Sequence, residues 1–388
     1  MPYHDPPRLP GGFRCTSTCC GMKAGAPDLS LFVSDTPGTA SALFTRNHFP
    51  GAPVVVGRER IRSGRLQAIV ANSKISNVAT GEEGIADARR MARLAAAELG
   101  IPEELVLVSS TGLIGRRLPM EKIEAGLRGL AAELADDPWS GARGIMTTDT
   151  EPKVLSVGVD GAVITAIGKG SGMVSPNLAT MLVFLFTDAA FGPETLGTLL
   201  ARAAEGSFQC LSVDSDTSTS DTVVLLANGR TGRVDQGRFG SALDRLCLGM
   251  AEWLARDGEG ATKLLRVKVG GARTDGEARR VAKAVVDSPL VKTMVHGADP
   301  NVGRILMAVG KCVDCRIDPG RVSAYLQGVP IIVAGRIAPF DESALRERLG
   351  EDPVEIVIEL AVGRGRGLGL GCDLTEGYIE ENAAYASS

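Results

Sequence analysis

Histidine is nearly absent: the 388 residues hold only His4, His48 and His296. None of them stands in a GxSxG or HExxH setting, so a serine–histidine triad or a histidine-built metal site has almost no material. An enzymatic base, if there is one, comes from another group. Positive charge is not in excess either. The net charge is −4, which leaves no overall field to hold a phosphate backbone and excludes a nucleic-acid role. Long apolar runs are missing as well. The longest, Met181 to Phe186, falls far short of the roughly 20 residues that span a bilayer, so no membrane role is expected. The opening MPYHDPPRLPGGF holds no apolar core of the kind a signal peptide uses. The expected location is cytoplasmic.

A cysteine framework is also lacking. Cys15, Cys19, Cys20, Cys210, Cys247, Cys312, Cys315 and Cys372 follow no disulfide spacing. Only Cys312 and Cys315 form a CxxC, and no second CxxC or HxxxH completes a tetrahedral set, so no metal is expected and the thiols read as buried or incidental. What is present is ordinary for a globular protein: 44% hydrophobic, 23% charged, and 48 glycines that suggest many tight turns. The length is enough for one large or two medium domains, each with a full core.

Helical and strand-like segments alternate along the chain, which argues for an α/β or α+β layered protein. Ile85, Ala88, Met91, Ala92, Ala95 and Leu99 repeat at helical spacing before Gly100 and Pro102 stop the helix. Leu105 to Val108 reads as a short strand. Pro119 opens a helix with Met120, Ile123, Leu127, Leu130 and Leu134 on one face. Asp160-Gly161 joins two apolar runs as a type I′ hairpin. Phe239, Leu243, Leu246, Met250 and Trp253 mark another amphipathic helix that ends near Gly258. A strand over Leu264 to Val269, a helix around Ala278, Val281 and Val285, and strands at Val329 to Val333 and Val354 to Leu360 complete the reading. The hairpin and the absence of a GxGxxG crossover favour mainly antiparallel sheets.

The informative segment runs from Gly168 to Ala190, GKGSGMVSPNLATMLVFLFTDAA. A glycine-rich loop with one lysine leads through Ser175-Pro176-Asn177 to Ala179-Thr180, and then to the apolar block. Read plainly, Thr180 caps or bounds a buried element. Read chemically, its hydroxyl can attack the Ala179 carbonyl to give an ester that water opens. Thr180 then becomes an N-terminus whose own α-amine, with an ordinary pKa of about 7.7–8.0, serves as the base. That reading supplies a base in a chain almost without histidine.

KGSGMVSPNLATML resembles the self-processing motif of the ornithine acetyltransferase (glutamate N-acetyltransferase) family, in which cleavage falls between Ala and Thr. The resemblance spans nearly the whole chain: SSTGLIG at Ser109 to Gly115, GIMTTDT at Gly144 to Thr150, SVDSDTSTSD at Ser212 to Asp221, DGEGATK at Asp257 to Lys263, SPLVKT at Ser288 to Thr293, VHGADPNVGR at Val295 to Arg304 and GCDLTEGY at Gly371 to Tyr378. It implies roles for the matching positions. Thr180 would be the nucleophile and acetyl carrier, and Ala179-Thr180 the cleavage site. Thr111 and Gly112 would form the oxyanion hole through a hydroxyl and an N–H, although Ser-Ser-Thr-Gly is equally natural as a plain turn. Thr148, Lys169, Thr180, Glu259, Asn382 and Ser387 would bind substrate. A Lys and a Glu suit ornithine, which presents a carboxylate and an ammonium; taken singly, Glu259 and Lys169 would read as solvated surface residues. The chain departs from the family at ANSKISN, Ala71 to Asn77, at Val302, and at Ala386-Ser387. These departures are expected to leave the nucleophile and the oxyanion pair untouched and to bear on substrate preference.

The resemblance implies an α/β fold of layered, mainly antiparallel sheets flanked by helices, of the N-terminal-nucleophile type. Met1 to Ala179 would be the α chain and Thr180 to Ser388 the β chain, assembled as α2β2. The expected reaction moves acetyl from N-acetylornithine to glutamate in two steps, in arginine synthesis or a specialised pathway. No cofactor is expected, with acetyl-CoA as an additional donor in some relatives. The rivals are an N-terminal-nucleophile amidase or peptidase, which passes the acyl group to water, and a non-catalytic amino-acid-binding relative or a redox or metal protein using Cys312 and Cys315.

Overall fold

The computed structural model describes residues 3–175 and 181–384. It divides into two compact units, one of Met1–Gly170, Asn177–Gln209 and Thr217–Met250, the other of Ser171–Pro176, Cys210–Asp216 and Ala251–Ser388.

The first unit runs β1 (Phe13–Thr18), β2 (Leu29–Phe44), α1 (Ala52–Arg60), β3 (Arg65–Asn72), α2 (Gly81–Leu99), β4 (Val106–Ser110), α3 (Met120–Leu127), α4 (Pro138–Ile145), β5 (Lys153–Val159), β6 (Ala162–Lys169), β7 (Leu182–Ala189), α5 (Pro193–Glu205), β8 (Thr222–Gly232) and, as far as Met250, α6 (Gln236–Arg256). Its strands follow the order β4-β3-β2-β8-β7-β6-β5, with β1 on β2. Only β3/β4 and β7/β8 are parallel. The long β2 makes this one sheet into two layers. Its first half pairs with β3, its second half with β8, and the register shifts between Val33 and Gly38. Gly38 belongs at that bend because a Cβ there would lie 2.5 Å from the Ala227 carbonyl oxygen. The bend folds Phe32 onto strands that it does not pair with: its ring lies 5.2 Å from Phe184 and 5.7 Å from Phe186, both on β7. β3 shows the resulting two-sidedness. Ile69 and Ala71 face this inner core, while Ala68 and Val70 pack under Ala88, Met91, Ala92 and Ala95 of α2. On the other side of the sandwich, Gly168 of β6 faces Met250 of α6.

The segmental readings largely hold. Asp160 and Gly161 take φ 49° and 86°, as a type I′ turn requires. The helix opened by Pro119 is shorter than its apolar spacing suggests, because it ends at Leu127 and Gly129 turns the chain at φ 80° into a 3-10 segment at Leu130–Glu133. The layered, mainly antiparallel α/β architecture is as expected.

The second unit comprises β9 (Leu264–Ala272), α7 (Asp275–Val286), α8 (Pro289–His296), α9 (Gly303–Gly310), β10 (Ser323–Leu326), β11 (Val329–Val333), β12 (Arg336–Ile337), α10 (Glu342–Leu349), β13 (Val354–Glu359), β14 (Gly365–Cys372) and α11 (Glu376–Ala384). Its sheet order is β12-β11-β10-β13-β9-β14, parallel only at β13/β9. The alternating glycines of β14 give it one bare face. A Cβ at Gly367 would lie 2.4 Å from the Ala278 carbonyl carbon of α7, so the helix backbone rests directly on the strand. No helix among the described residues is long and apolar enough to cross a membrane.

Candidate active site

In the first unit, β4 runs out into Thr111-Gly112. Asn72, at the end of the neighbouring β3, shapes this exit. Its carbonyl accepts the Thr111 N–H at 3.0 Å, and its side chain accepts the Ser110 hydroxyl at 2.6 Å and donates to the Ile75 carbonyl at 2.9 Å. Lys74, at φ 78°, accepts the Leu113 N–H at 2.9 Å. Gly112 sits at φ 121°, and a Cβ on it would lie 2.3 Å from the Lys74 carbonyl carbon. Only glycine fits that contact. The Thr111 side chain is buried. Among the described residues, neither its hydroxyl nor the Gly112 N–H has a hydrogen-bond partner, which leaves two adjacent donors uncommitted. One expectation is corrected here. ANSKISN does not leave the Thr111-Gly112 pair untouched: Asn72 and Lys74 are the wall on which the pair is built.

Lysine ammoniums gather around one carboxylate in the same unit. Asp149 lies in the loop between α4 and β5, beside Thr148, which is half-buried. Its Oδ1 accepts from Lys153 Nζ at 2.8 Å and from the Gly170 N–H at 2.8 Å; its Oδ2 accepts the Thr147 N–H at 2.9 Å. Lys169 Nζ, at the end of β6, stands 3.9 Å from the same oxygen. Burial pushes the Asp149 carboxyl up, but Lys169, Lys153 and the hydrogen bonds overcome that and hold it well below the ordinary carboxylate range. Lys23 is also close. It donates to the Met146 carbonyl at 2.5 Å, and burial, aided by the charges of Lys169 and Lys74, brings its ammonium down to about 8.

β7 begins just after the Ala179-Thr180 pair, beside the end of β6. Leu182, two positions after Thr180 in the chain, pairs with Lys169. The Met181 N–H donates to Asp221 Oδ1 at 3.1 Å. Asp221 is 2% exposed, and burial pushes its carboxyl well above the usual range. The Thr45 and Ser218 hydroxyls lie near enough to soften the penalty. Thr45, however, spends its proton on the Ser218 carbonyl at 2.6 Å. Among the described residues, Asp221 Oδ2 has no properly oriented partner.

In the second unit, Glu259 and Asn382 are brought together, the Asn382 amide donating to Glu259 Oε2 at 2.7 Å. The Glu259 N–H donates to the Ser171 carbonyl at 3.1 Å. A Cβ on Gly172 would lie 2.2 Å from the Glu259 carboxyl carbon, so the glycine-rich loop is what admits this side chain. Glu259 is buried rather than a solvated loop residue, and Lys169 likewise is 3% exposed. Ala179, Thr180 and Ser387 lie outside the described residues. Asp149, Lys153 and Asp221 are buried in the same unit, and the sequence reading passed over them. The i,i+4 spacing of Asp149 and Lys153 was the available signal.

A bent, two-layered α/β sandwich that ends a strand in two adjacent uncommitted donors suits an acyl-transferring enzyme. The profile of the ArgJ family matches residues 14–387, and the chain belongs to that family. A Thermus thermophilus protein named arginine biosynthesis bifunctional protein ArgJ is 45% identical over 384 residues, covering 98% of this chain and 99% of the relative. Glutamate N-acetyltransferase Oat2 of Streptomyces clavuligerus is 44% identical over 388 residues, again covering 98% and 99%. A crystal structure of arginine biosynthesis bifunctional protein ArgJ from Bacillus halodurans superposes with a TM-score of 0.50 at 36% identity. It covers 53% of this chain and 98% of the solved chain.

Proposed function

We propose that this chain is a glutamate N-acetyltransferase that moves acetyl from N2-acetylornithine to glutamate through an ester on Thr180, after cutting itself between Ala179 and Thr180. The observation that carries this reading is the pair of uncommitted donors at Thr111 and Gly112, set on a β4 exit that only glycine can complete. In the first half-reaction the Thr180 hydroxyl oxygen bonds to the acetyl carbon, and in both the charge on the carbonyl oxygen would be met by these donors. The ornithine C–N bond breaks, and the Thr180 α-amine passes the hydroxyl proton to the leaving amine. Glutamate's amine then reverses the sequence. One α-amide is broken as another is made, so the cycle runs without acetyl-CoA, which would serve only as a supplementary donor. Thr148 and Lys169 would meet the substrate carboxylate; Glu259, Asn382 and Ser387 would meet its ammonium end. Two observations support processing without separation. β6 precedes the cut and β7 follows it, yet they pair along six positions from Ile164↔Thr187 to Lys169↔Leu182. The matched Bacillus chain is also about half as long as this one. An α2β2 assembly in the cytoplasm, serving arginine synthesis, completes the reading.

The test is mass analysis and kinetics together. Wild type should give two fragments and Thr180→Ala one; cleavage in Thr180→Ala refutes self-attack. Ornithine release should require glutamate and give parallel double-reciprocal lines. Acetate in place of acetylglutamate would make the enzyme an amidase. Thr111→Ala should slow both cleavage and transfer, by about 2.7–4 kcal/mol of transition-state stabilisation.

A further inference from the structure

The CxxC has no part in acyl transfer, and the second unit gives it a setting of its own. Cys312 follows α9, and the Cys315 N–H donates to the Cys312 carbonyl at 3.0 Å, so both thiols project from one tight turn. Both are half-buried and unpaired. Together with Arg280, Lys283 and Lys311 they line a cleft of about 340 Å³. The acids in that lining are Asp287 and Asp314, so the cations outnumber them. The two thiols differ. Arg280 lines the cleft beside Cys315, whose sulfur helps to raise the guanidinium above its ordinary value. Cys312 is pushed up by burial and then by its neighbour Cys315. Attack comes from the thiolate form, and a partly exposed sulfur is open to it. The sulfurs have little to lose by moving: Cys312 Sγ is 3.7 Å from the Ala308 carbonyl and Cys315 Sγ 3.9 Å from that of Glu277.

We propose that Cys312 and Cys315 are a dithiol site that reduces a small anionic disulfide held by Arg280, Lys283 and Lys311, closing to a Cys312–Cys315 disulfide. The Cys315 thiolate attacks one sulfur of the small disulfide, whose S–S bond breaks, and the first small thiol leaves and takes up a proton. Cys312 then gives up its proton and attacks Cys315, expelling the second small thiol. Two electrons pass from the protein to the small disulfide. The proposal is independent of the acyl-transfer reading.

The experiment uses the full processed protein and glutathione disulfide as the probe. The peptide carrying both cysteines should lose two hydrogens as glutathione is released, and its thiols should resist alkylation until reduced. Cys312→Ser should stop at a glutathione adduct on Cys315. Arg280→Ala, with its fold checked by circular dichroism, should slow adduct formation on Cys315 severalfold, because a cation that holds the anionic disulfide is lost. Thiols that stay alkylatable after treatment, an adduct that forms on the other cysteines as fast as on Cys315, or an unchanged rate in Arg280→Ala would each overturn it. So would stoichiometric zinc that protects both sulfurs.

Discussion

Asp149 and Asp221 are buried carboxyls of the same unit, 8% and 2% exposed, and both feel Lys169. Burial acts on both in one direction, yet they end on opposite sides of the ordinary value. Asp149 has an ammonium in hydrogen-bond contact, a second one 3.9 Å away, and two backbone N–H donors. Asp221 has one firm N–H, from Met181, and an oxygen without a proper partner. The difference teaches that solvent exclusion sets only the size of the stake. The count and geometry of donors decide which protonation state the fold selects.

The most severe way to break the comparison is Asp149→Ala. It takes the carboxylate away from the Lys153 ammonium, which is 0% exposed in the native protein, and should cost about 3–5 kcal/mol in urea unfolding. A loss below about 1 kcal/mol would mean that Lys153 is not held by this carboxylate. Pairing Asp149→Leu with Lys153→Met should recover much of that loss, because a packed apolar pair is often as stable as a buried ion pair. A double variant no better than Asp149→Ala would show that Lys169 and the two N–H groups depend on the carboxylate independently.

The smallest effects come from pH. Asp149 is depressed in the fold, so its stabilisation is full above its unfolded value of 3.8 and is lost as pH falls below it. Asp149→Asn should flatten that acid limb of the stability curve. Asp221 is raised, so the folded protein holds a proton that the unfolded chain releases above 3.8. Its contribution therefore fades as pH climbs through the window above 3.8. Asp221→Asn should remove that slope and change stability at low pH by only about 1 kcal/mol. Equal slopes in wild type and Asp221→Asn would show that Asp221 is ionised in the fold.

Much of the fold was legible because its signals are local. Helical spacing marked α2 and α6, Asp160-Gly161 marked the β5–β6 hairpin, and an unbroken apolar block marked the burial of β7 though not its strand form. The bend of β2 was not legible. Its sixteen residues carry no period that announces a switch from one layer to the other, and Gly38 is needed only because β8 passes within reach. The candidate site divided in the same way. Thr111, Gly112, Lys169, Glu259 and Asn382 were named from motif resemblance. Asp149 left only its i,i+4 spacing to Lys153 as a signal, and nothing in the string of Asp, Ser and Thr around Asp221 distinguishes a buried acid from a solvated one.

The sequence by itself determined the class of chemistry available. With so little histidine and a Thr after a glycine-rich loop, a self-supplied amine is the economical base, and the alternation of helical and strand periods requires layers. The tertiary structure decided charge states and contacts. Protonation depends on solvent exclusion and on donors brought from distant segments, as Gly170 and Lys169 are brought to Asp149 and Met181 to Asp221. Those distances come into being only when the sheet closes.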